Sequence, residues 1–558
     1  MDYNRLAELL FPDVTLTPED LEKRYPERNL PEGAKVTRLA PSPTGFMHFG
    51  TLFPALTNER LAHQSDGVFF LRIEDTDSKR EVAGAEKDLI DTLAYYKINF
   101  DEGATESGEI GDYGPYRQSE RADIYHVYAK KLVAEGKAYP CFTTEEELEA
   151  LNAVDKKAEI KSKDWNTEAQ KQHKQMLRQR EFTIEEVEEN LKNGNPFVLR
   201  ILASGDGEKK VFCTDLVRGK LELPENEEDF VLLKSDGIPT YHFAHAVDDH
   251  LMRTTHVIRG EEWLPSLSKH IQLFSYLGFK MPKYLHLSQL MKMDGTSKKK
   301  LSKRDNGAAL SDYKASGYPP AAVSEYVMTL LNSNFEDWRR ANPGEDIDAF
   351  PFSVKKMSSS GCLFDFDKLN DVSKNVISAM SADEVYSGVC GWAKEYDPEF
   401  ADLLADREFA VSVFSIGRGG KKPRKDITNW SGVKAYAGFF YDKYFEKYFE
   451  IEDAYPENFS RDDIRAILNM FISSFDPSDS RDDWFAKIKS AAAANGFAAD
   501  TKEYKAEPEK FKGSIADVSM FIRVAVTGKV NSPDLYDVMQ ILGRGKVEAR
   551  VNSMIKEL

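Results

Sequence analysis

Arg38-Leu-Ala-Pro-Ser-Pro-Thr-Gly-Phe-Met-His48-Phe-Gly50-Thr51 is the stretch that decides the fold of this 558-residue chain. Residues 35–40 have the apolar pattern of a strand, and the two prolines that follow end it and stiffen a turn. From Thr51 to Gly67 the apolar residues recur at helical spacing, so the sequence predicts a strand, a turn and a helix. The N-terminus of such a helix attracts anions, because its free N–H groups and its dipole face the ligand. His48 stands where it could donate to a phosphate, although an ordinary turn fits these residues as well.

A second segment, residues 298–304, is strongly basic in a chain whose net charge is −18. It reads Lys-Lys-Lys-Leu-Ser-Lys-Arg and has Gly295 before it and Gly307 after it, which predicts a mobile loop. Such a loop could close several positive charges over a triphosphate. The alternative is a solvated basic loop, the commoner fate of a charge run.

Taken together, the two segments resemble the signature sequences of class I aminoacyl-tRNA synthetases. Residues 48–51 resemble the HIGH motif and residues 300–304 resemble the KMSKS loop. Further segments resemble the bacterial-type glutamyl-tRNA synthetases and occur in the same order, at residues 38–45, 72–77, 114–121 and 247–252. The resemblance starts near Lys35, is dense to Tyr318 and is thin from there to the C-terminus.

This resemblance implies an α/β fold with a Rossmann-type class I catalytic domain, an α+β insertion, and all-α stem-contact and anticodon-binding domains. The chain is also too long for a single core. The predicted boundaries are 1–33 for an N-terminal extension, 34–113 and 225–304 for the catalytic domain, 114–224 for the acceptor-binding insertion, 305–390 for the stem-contact helices and 391–558 for the anticodon-binding helices.

Local patterns support several elements without the resemblance. Residues 68–73 form a nearly continuous apolar run, which is typical of a parallel strand buried on both faces. Thr17-Pro-Glu-Asp has the hydroxyl, proline and acidic residues of a helix start, and Ser460 precedes an apolar helical face. The very polar residues 155–180 predict a solvated helix or hairpin.

The reaction that the resemblance implies is the ATP-dependent activation of L-glutamate and its transfer to the 3'-terminal adenosine of tRNA-Glu, with release of AMP and pyrophosphate. The implied catalytic residues are His48, Lys300 and Lys303. The implied ATP-binding residues are His48, Gly50, Thr51, Glu262, Trp263, Lys300, Ser302 and Lys303. We expect Mg²⁺ to accompany ATP.

Glutamate carries two carboxylates and one ammonium group, and arginine binds a carboxylate through two parallel hydrogen bonds. The resemblance assigns Arg38 to the side-chain carboxylate, Arg259 to the α-carboxylate and Glu74 to the ammonium group. The other implied glutamate-binding residues are Ala40, Ser42, Tyr241 and His245. His245 stands where relatives often have asparagine, and from the residues alone each arginine fits an ordinary salt bridge equally well.

Cysteine usage and histidine spacing predict no metal site. The four cysteines, Cys141, Cys213, Cys362 and Cys390, are far apart and form no CxxC pair, as expected of reduced cytoplasmic thiols. Many relatives hold zinc with three neighbouring cysteines in the insertion, but this chain has only Cys141 in the stretch Tyr139-Pro-Cys141-Phe, so we predict no structural zinc. Asp249 and His250 invite a metal interpretation with His245 and His256, yet the set has no fixed period.

Charge and hydropathy limit the cellular setting. No run approaches 18 apolar residues and the N-terminus lacks the features of a signal peptide, so we predict a cytoplasmic protein without membrane contact. A monomer is the default expectation. The acidic chain has basic stretches at 298–304, 418–425 and 544–546 that suit a transiently bound tRNA. Arg424 is predicted to contact the anticodon, with a solvated basic loop as the alternative.

Three rival functions fit the sequence less well. A truncated paralogue that glutamylates a modified tRNA base lacks the C-terminal half that this chain keeps. A glutaminyl-tRNA synthetase carries β-barrels where this sequence predicts helices. A tRNA-binding or regulatory module without activity would not need His48, Gly50, Lys300 and Lys303 intact. The sequence leaves open whether tRNA-Gln is charged with glutamate in addition to tRNA-Glu.

Overall fold

The computed structural model describes residues 1–143, 179–301, 309–445, 455–456 and 458–558. The predicted polar helix or hairpin at 155–180 lies outside the described residues except for its last two positions, and so do Ser302, Lys303 and Arg304. The chain divides into two units, residues 1–310 with 327–364 and residues 311–326 with 365–558.

All strands belong to the first unit as far as the described residues go. In chain order they are β1 (Val36–Leu39), β2 (Val68–Leu71), β3 (Glu102–Thr105), β4 (Gly108–Ile110), β5 (Ala138–Cys141), β6 (Val198–Ile201), β7 (Lys210–Asp215), β8 (Gly219–Pro224), β9 (Val231–Leu233), β10 (His256–Gly260), β11 (Lys283–Leu287), β12 (Leu290–Asp294), β13 (Ser297–Lys300) and β14 (Cys362–Leu363).

Helices occur throughout the described chain. The first group is α1 (Tyr3–Leu10), α2 (Pro18–Arg24), α3 (Phe49–His63), α4 (Ala85–Tyr95), α5 (Ala122–Ala134), α6 (Ile184–Lys192), α7 (Tyr241–Leu251), α8 (Leu267–Leu277), α9 (Leu310–Ser316), α10 (Pro320–Leu331) and α11 (Phe335–Ala341). The second group is α12 (Phe366–Ala379), α13 (Ala382–Tyr396), α14 (Pro398–Leu403), α15 (Arg407–Ser415), α16 (Val433–Ala437), α17 (Asp442–Phe445), α18 (Arg461–Ser474), α19 (Arg481–Ala494), α20 (Thr501–Ala506), α21 (Ile515–Thr527) and α22 (Leu535–Glu557).

The parallel strands of the first unit create one crevice at their carboxyl ends. β1 pairs in parallel with β2, and β10 pairs in parallel with β11. β1 and β10 run side by side, and the Thr255 N–H donates to the Val36 carbonyl oxygen at 2.9 Å. β2, the next strand in the sequence, lies on one side of β1, and β10 lies on the opposite side, so the strand order reverses direction at β1. Doubly wound folds bind their ligands at such a switch point.

The segment from Arg38 to Thr51 folds largely as predicted. β1 is buried along its whole length and ends at Leu39. α3 begins at Phe49, two residues earlier than predicted, and His48 is its N-cap. β2 confirms the predicted buried parallel strand, since Phe69 and Phe70 are fully buried and β1 is its parallel neighbour.

The insertion contributes to two sheets. β5, β6 and β9 form an antiparallel sheet, whereas β7 and β8 form a hairpin whose β7 pairs with β11 beside the parallel strands. Strands from both sides of the predicted boundary at residue 224 therefore share sheets. The domain boundaries given above remain predictions.

Residues 1–33 fold onto the first unit. Thr17 confirms its predicted role, because its side chain accepts from the Asp20 N–H and the Asp20 side chain accepts in return. The Arg28 guanidinium donates to both carboxylate oxygens of Glu102 at 2.7 and 2.9 Å. Glu22 accepts from Arg253 at 2.6 Å, so the extension is tied to strands and helices far away in the sequence.

The basic segment is a β-hairpin as far as Lys300, so the prediction of a loop over residues 298–300 is wrong. β12 and β13 pair antiparallel, with Met291 opposite Lys300 and Asp294 opposite Ser297. The turn between them has Gly295 at φ +61°. A glycine at the first of two loop residues suits a tight hairpin, and Gly295-Thr296 is the corresponding signal in the sequence.

The second unit is built from helices around an apolar core that includes Phe414, Phe440, Leu468 and Phe521. Ser460 caps α18 as predicted, accepting from the Asp463 N–H. α22 is broken at Gly543, whose φ of +74° is not helical. In the parts of the chain that the structure describes, no helix is long and apolar enough to cross a bilayer.

Candidate active site

A cleft of about 1410 Å³ opens at the carboxyl ends of β1, β2 and β10. Most of the predicted site residues line it, namely Arg38, Ala40, Ser42, His48, Gly50, Thr51, Glu74, Tyr241, Arg259, Glu262, Trp263 and Lys300. His245 does not line the cleft and is fully buried. The fold thus brings together residues that are up to 262 positions apart, between Arg38 and Lys300.

The N-terminus of α3 forms one end of the cleft. A Cβ atom on Gly50 would lie 3.1 Å from both Nδ1 and Cε1 of the His48 ring, so the imidazole fits closely over this glycine. The spacing of histidine and glycine therefore has a steric cause, because a larger residue at position 50 would push the ring away. His48 also pairs through its backbone with Ala309.

On one side of the cleft the charges neutralise each other, and we call Arg38 and Glu74 at the cleft, with the buried Arg72 and Asp249 behind them, the paired half. Arg38 Nε donates to the two carboxylate oxygens of Asp249 at 3.1 and 3.2 Å, and Arg72 donates to Asp249 at 2.8 Å. Arg72 also donates to Glu74 at 3.1 Å. All four side chains are buried, so each charge depends on its partners.

The pKa values of the two carboxyl groups in the paired half move in opposite directions. Burial alone raises the pKa of Asp249, but Arg38 and Arg72 outweigh burial and hold it well below its usual range. Burial raises the pKa of Glu74, and there the arginines offset only part of the effect. Asp249 is therefore the permanent counter-ion, and Glu74 is the carboxyl group still able to gain from a cation.

The side chains of Asp248, Asp249 and His250, at the end of α7, point to different partners. Asp248 accepts from Arg121 at 2.7 Å, Asp249 faces the paired half, and His250 Nε2 lies 2.6 Å from Glu22. Each side chain fixes a different segment. Among the described residues no group of three or more potential ligands could hold a metal ion.

The other side of the cleft has a cation without an anion, and we call Arg259 and Tyr241 at the cleft, with the buried His270 and His286 behind them, the open half. Arg259 is 6% exposed. Its Nε donates to His286 Nε2 at 3.0 Å, and its terminal nitrogens lie 3.2 Å from His270 Nδ1 and 3.3 Å from the Tyr241 hydroxyl. Within the described ranges no carboxylate lies within 4 Å of this guanidinium.

His245 connects the two halves. Its Nδ1 lies 2.6 Å from Asp249 Oδ2, and its Nε2 lies 2.9 Å from the Tyr284 hydroxyl. Its ring is parallel to that of Tyr241 at 5.8 Å, and Tyr241 stacks on Trp263 at 4.1 Å. Burial lowers the pKa of His245 to about 3, so the ring is neutral under ordinary conditions.

Three further residues of the site were not found by sequence reasoning: Asp215, His270 and His286. They come from β7, α8 and β11, and no local pattern joins them. One signal was available, because six of the ten histidines, at 242, 245, 250, 256, 270 and 286, fall within a short part of the chain. Polar residues so concentrated in an otherwise apolar α/β region indicate a buried polar site.

The remaining predicted residues lie elsewhere. Lys300 ends β13 with an exposed side chain at the cleft, whereas Ser302 and Lys303 lie outside the described residues. In the second unit Arg424 donates to both carboxylate oxygens of Asp426, at 2.5 and 3.2 Å. Its contact with tRNA stays a prediction.

Comparison with known proteins places this geometry in a family. The chain matches the catalytic-domain model of class I tRNA synthetases (E and Q) over residues 35–371 and an anticodon-binding domain model over residues 425–555. It is 48% identical to a glutamate–tRNA ligase of Acetivibrio thermocellus over the whole of both chains, and 46% identical to one of Clostridium perfringens strain 13 over 99% of this chain and 100% of that protein.

A solved structure agrees with these relatives. The crystal structure of a glutamate tRNA ligase from Elizabethkingia meningosepticum in complex with its amino acid has a TM-score of 0.70 and 28% identity, over 94% of this chain and 99% of that chain. The predicted α/β catalytic part followed by a helical anticodon-binding part is confirmed. The chain therefore belongs to the glutamate–tRNA ligases, a family of class I aminoacyl-tRNA synthetases.

Proposed function

We propose that the chain charges tRNA-Glu with L-glutamate in two steps at the cleft described above. In the first step the α-carboxylate oxygen of glutamate attacks the α-phosphorus of ATP, and the bond to the bridging oxygen breaks to release pyrophosphate. In the second, a terminal ribose hydroxyl of the tRNA attacks the activated carbonyl carbon, and AMP leaves. The substrates supply both nucleophiles, so the protein contributes position and charge.

The observation that carries this proposal is the isolated charge of Arg259. A guanidinium that is 6% exposed and has only neutral hydrogen-bond partners is costly in the free protein. A bound carboxylate removes that cost and forms charge-assisted hydrogen bonds with the same nitrogens. We therefore assign one carboxylate of the substrate to Arg259.

The paired half fits the other groups of glutamate. Arg38 keeps donors available at the cleft while Asp249 balances its charge, so we assign it the second carboxylate as a hydrogen-bond donor. Glu74 is a buried carboxyl group whose pKa burial raises, and a substrate ammonium group restores its ionised form. Ala40, Ser42 and Tyr241 line the space between these groups. The buried ring of His245 lies parallel to the ring of Tyr241 and holds it in position.

ATP fits the end of the cleft formed by α3. We propose that His48 and the backbone of Gly50 and Thr51 hold its phosphates, since helix N-termini favour anions. Lys300, Ser302 and Lys303 are proposed to contact the triphosphate; Leu301 lines the cleft and Ala309 pairs with His48, so both ends of the intervening segment are at the cleft.

We assign Glu262 and Trp263, which both line the cleft, to the nucleotide. Mg²⁺ is usually bound by substrate phosphates and water with one or two carboxylates, so it would accompany ATP. Mg²⁺ would neutralise part of the phosphate charge.

We extend the proposal to the partners and the setting. The insertion would receive the acceptor end of the tRNA, and Arg424 would contact the anticodon. A monomer in the cytoplasm fits the four unpaired cysteines, which are all at least partly buried thiols. Whether tRNA-Gln is also charged with glutamate depends on the anticodon contacts.

Aminoacylation tests the proposal directly. The protein is mixed with ATP, Mg²⁺, labelled glutamate or glutamine, and tRNA-Glu or tRNA-Gln in separate reactions. We expect labelled glutamate on tRNA-Glu; glutamate on both tRNAs identifies a non-discriminating enzyme. Transfer of glutamine, or no transfer with any tRNA, contradicts the proposal. His48→Ala serves as the matched variant, with an adenylate-forming barrier raised by about 2–4 kcal/mol.

A further inference from the structure

We propose that His270 and His286 are positioning residues that hold the Arg259 guanidinium by accepting its N–H groups as neutral imidazoles, leaving its positive charge for the carboxylate of the substrate. The inference rests on the proposed function, because it explains how that carboxylate is recognised. Neither histidine lines the cleft. Both are fully buried, and they act on the substrate only through Arg259.

The hydrogen-bond partners of His286 fix its tautomer. An arginine cannot accept a hydrogen bond, so His286 Nε2 must accept from Arg259 Nε at 3.0 Å. The proton of the neutral ring is then on Nδ1, which donates to Asp215 Oδ2 at 2.8 Å. Asp215 is held in turn by the backbone N–H groups of Val217, Arg218 and His286. The hydrogen bonds therefore all run in one direction: Arg259 donates to His286, and His286 donates to Asp215.

His270 has the opposite tautomer for the same reason. Its Nδ1 faces an Arg259 terminal nitrogen at 3.2 Å and must accept, so the proton is on Nε2. His270 Nε2 then donates to His242 Nδ1 at 3.0 Å. Two neutral rings thus hold two edges of one guanidinium from different directions. The third contact, the Tyr241 hydroxyl at 3.3 Å, is on the side that lines the cleft.

Neutral acceptors differ from carboxylates in their effect on charge. Asp249 fixes Arg38 in the paired half, but it also neutralises it. An imidazole fixes an arginine through the same N–H groups and leaves the full positive charge uncompensated. Protonation of either ring would replace an acceptor with a donor and place a second cation at about 3 Å from the first.

The surroundings keep these rings neutral. The titratable and charged groups facing Arg259 and its two histidines include Asp215, Arg218, Tyr241, His242, His245, Asp249 and Tyr284, together with the Cys213 thiol. Burial lowers the pKa of both His270 and His286, and the nearby Arg259 lowers it further; Asp249 opposes the effect at His270, and Asp215 opposes it at His286. Burial likewise lowers the pKa of His242 to about 4.

Matched substitutions distinguish positioning from simple packing. His286→Gln keeps an acceptor for Arg259 and a donor for Asp215, whereas His286→Leu fills the space without either. His270→Asn and His270→Leu form a second, independent pair. For each variant, steady-state aminoacylation of tRNA-Glu by the full chain gives kcat and separate KM values for glutamate and ATP, and a thermal melt verifies folding.

We expect both leucine variants to raise the KM for glutamate by roughly 10- to 100-fold, the range for losing a hydrogen bond to a charged group. The KM for ATP should change by less than about twofold, and the amide variants should recover most of the loss. If the folded leucine variants have the same KM for glutamate as the unmodified protein, the inference is overturned. It is also overturned if the leucine and amide variants raise this KM by the same factor. If one leucine variant fails to fold, the other pair decides.

The unmodified protein separates this inference from the function on which it rests. If it does not charge tRNA-Glu with glutamate, the proposed function itself is wrong. If it does, and the leucine variants behave like it, only the role of the histidines is wrong.

Discussion

The paired half and the open half of the cleft each contain a buried arginine, yet the two arginines have opposite surroundings. Arg38 shares Asp249 with Arg72, so its charge is balanced before any ligand arrives. Arg259 has His270, His286 and a tyrosine hydroxyl, none of which is charged. The first arrangement stabilises the fold, and the second stores binding energy for a ligand.

This difference gives a general test for buried arginines in unfamiliar proteins. A buried arginine whose carboxylate partner belongs to the same chain fits a structural role as well as a functional one. A buried arginine with only neutral acceptors indicates an external anion, because removing its hydration is otherwise uncompensated. The two halves should therefore respond differently to mutation.

The largest effect is expected from breaking the paired half. Asp249→Asn leaves Arg38 and Arg72 buried without their shared anion, so we expect the first unit to lose about 3–5 kcal/mol of unfolding free energy. Urea unfolding followed by fluorescence measures this loss. Asp337→Asn removes the exposed partner of Arg340 and is the control, with an effect below about 1 kcal/mol. Equal midpoints for the two variants would show that Asp249 is not the counter-ion.

Arg259→Gln should separate activity from stability. It removes the cation but leaves no buried anion behind, so we expect the unfolding midpoint to stay the same or rise. The kcat/KM for glutamate should fall by a factor that corresponds to about 2–5 kcal/mol of lost transition-state stabilisation, the usual result of losing one side of a buried charge pair. Steady-state aminoacylation and the same urea titration supply both quantities. A variant that loses stability and keeps activity contradicts the assignment of the open half.

Glu74 should give the cleft a dependence on pH. Burial raises the pKa of this carboxyl group, so it takes up a proton at a higher pH than an ordinary glutamate. Only the ionised form attracts the substrate ammonium, and the KM for glutamate should therefore rise as the pH falls through that raised pKa. Glu74→Gln should show a high KM that is the same at about pH 8 and about pH 5. Parallel pH profiles for the two proteins would rule out Glu74 as the ammonium-binding group.

The smallest effect is expected where the two halves meet. His245→Asn introduces the residue that relatives often have at this position. Asparagine is too short to contact Asp249 and Tyr284 as the imidazole does. We therefore expect kcat/KM for glutamate to fall by a factor that corresponds to about 1 kcal/mol, with little change in the KM for ATP. Competition with glutamine in the same assay reports on specificity. A loss as large as that of Arg259→Gln would mean that His245 does more than support Tyr241.

The sequence predicts those parts of the fold and site that depend on neighbours along the chain. The strand, turn and helix around His48 follow from proline and glycine placement, and the Thr17 cap follows from four consecutive residues. Arg38 and Arg259 were found because the surrounding segments resemble a known family. Their charge balance could not be predicted, because Asp249 is 211 residues from Arg38 and its side chain has several possible partners.

The hairpin of β12 and β13 shows the opposite limitation. Its lysines have the composition of a solvated loop, and pairing with β12 prevails because backbone hydrogen bonds do not depend on charge. Asp215, His270 and His286 were missed because their relation is purely three-dimensional. They come from β7, α8 and β11, and meet only when β7 pairs with β11.

The docking of residues 1–33 has a consequence for how the protein is made. Glu22 contacts Arg253, a residue 231 positions later in the chain. At about 5–20 residues per second, ribosomal synthesis takes roughly 10–50 s to deliver that partner. Tyr25, which is buried in the finished protein, has earlier partners: its ring stacks on Tyr113, and its hydroxyl donates to the carbonyl oxygen of Gly114, 89 positions later in the chain. The first helices to be synthesised can therefore pack in two stages, first on the segment around Tyr113 and only later on Arg253.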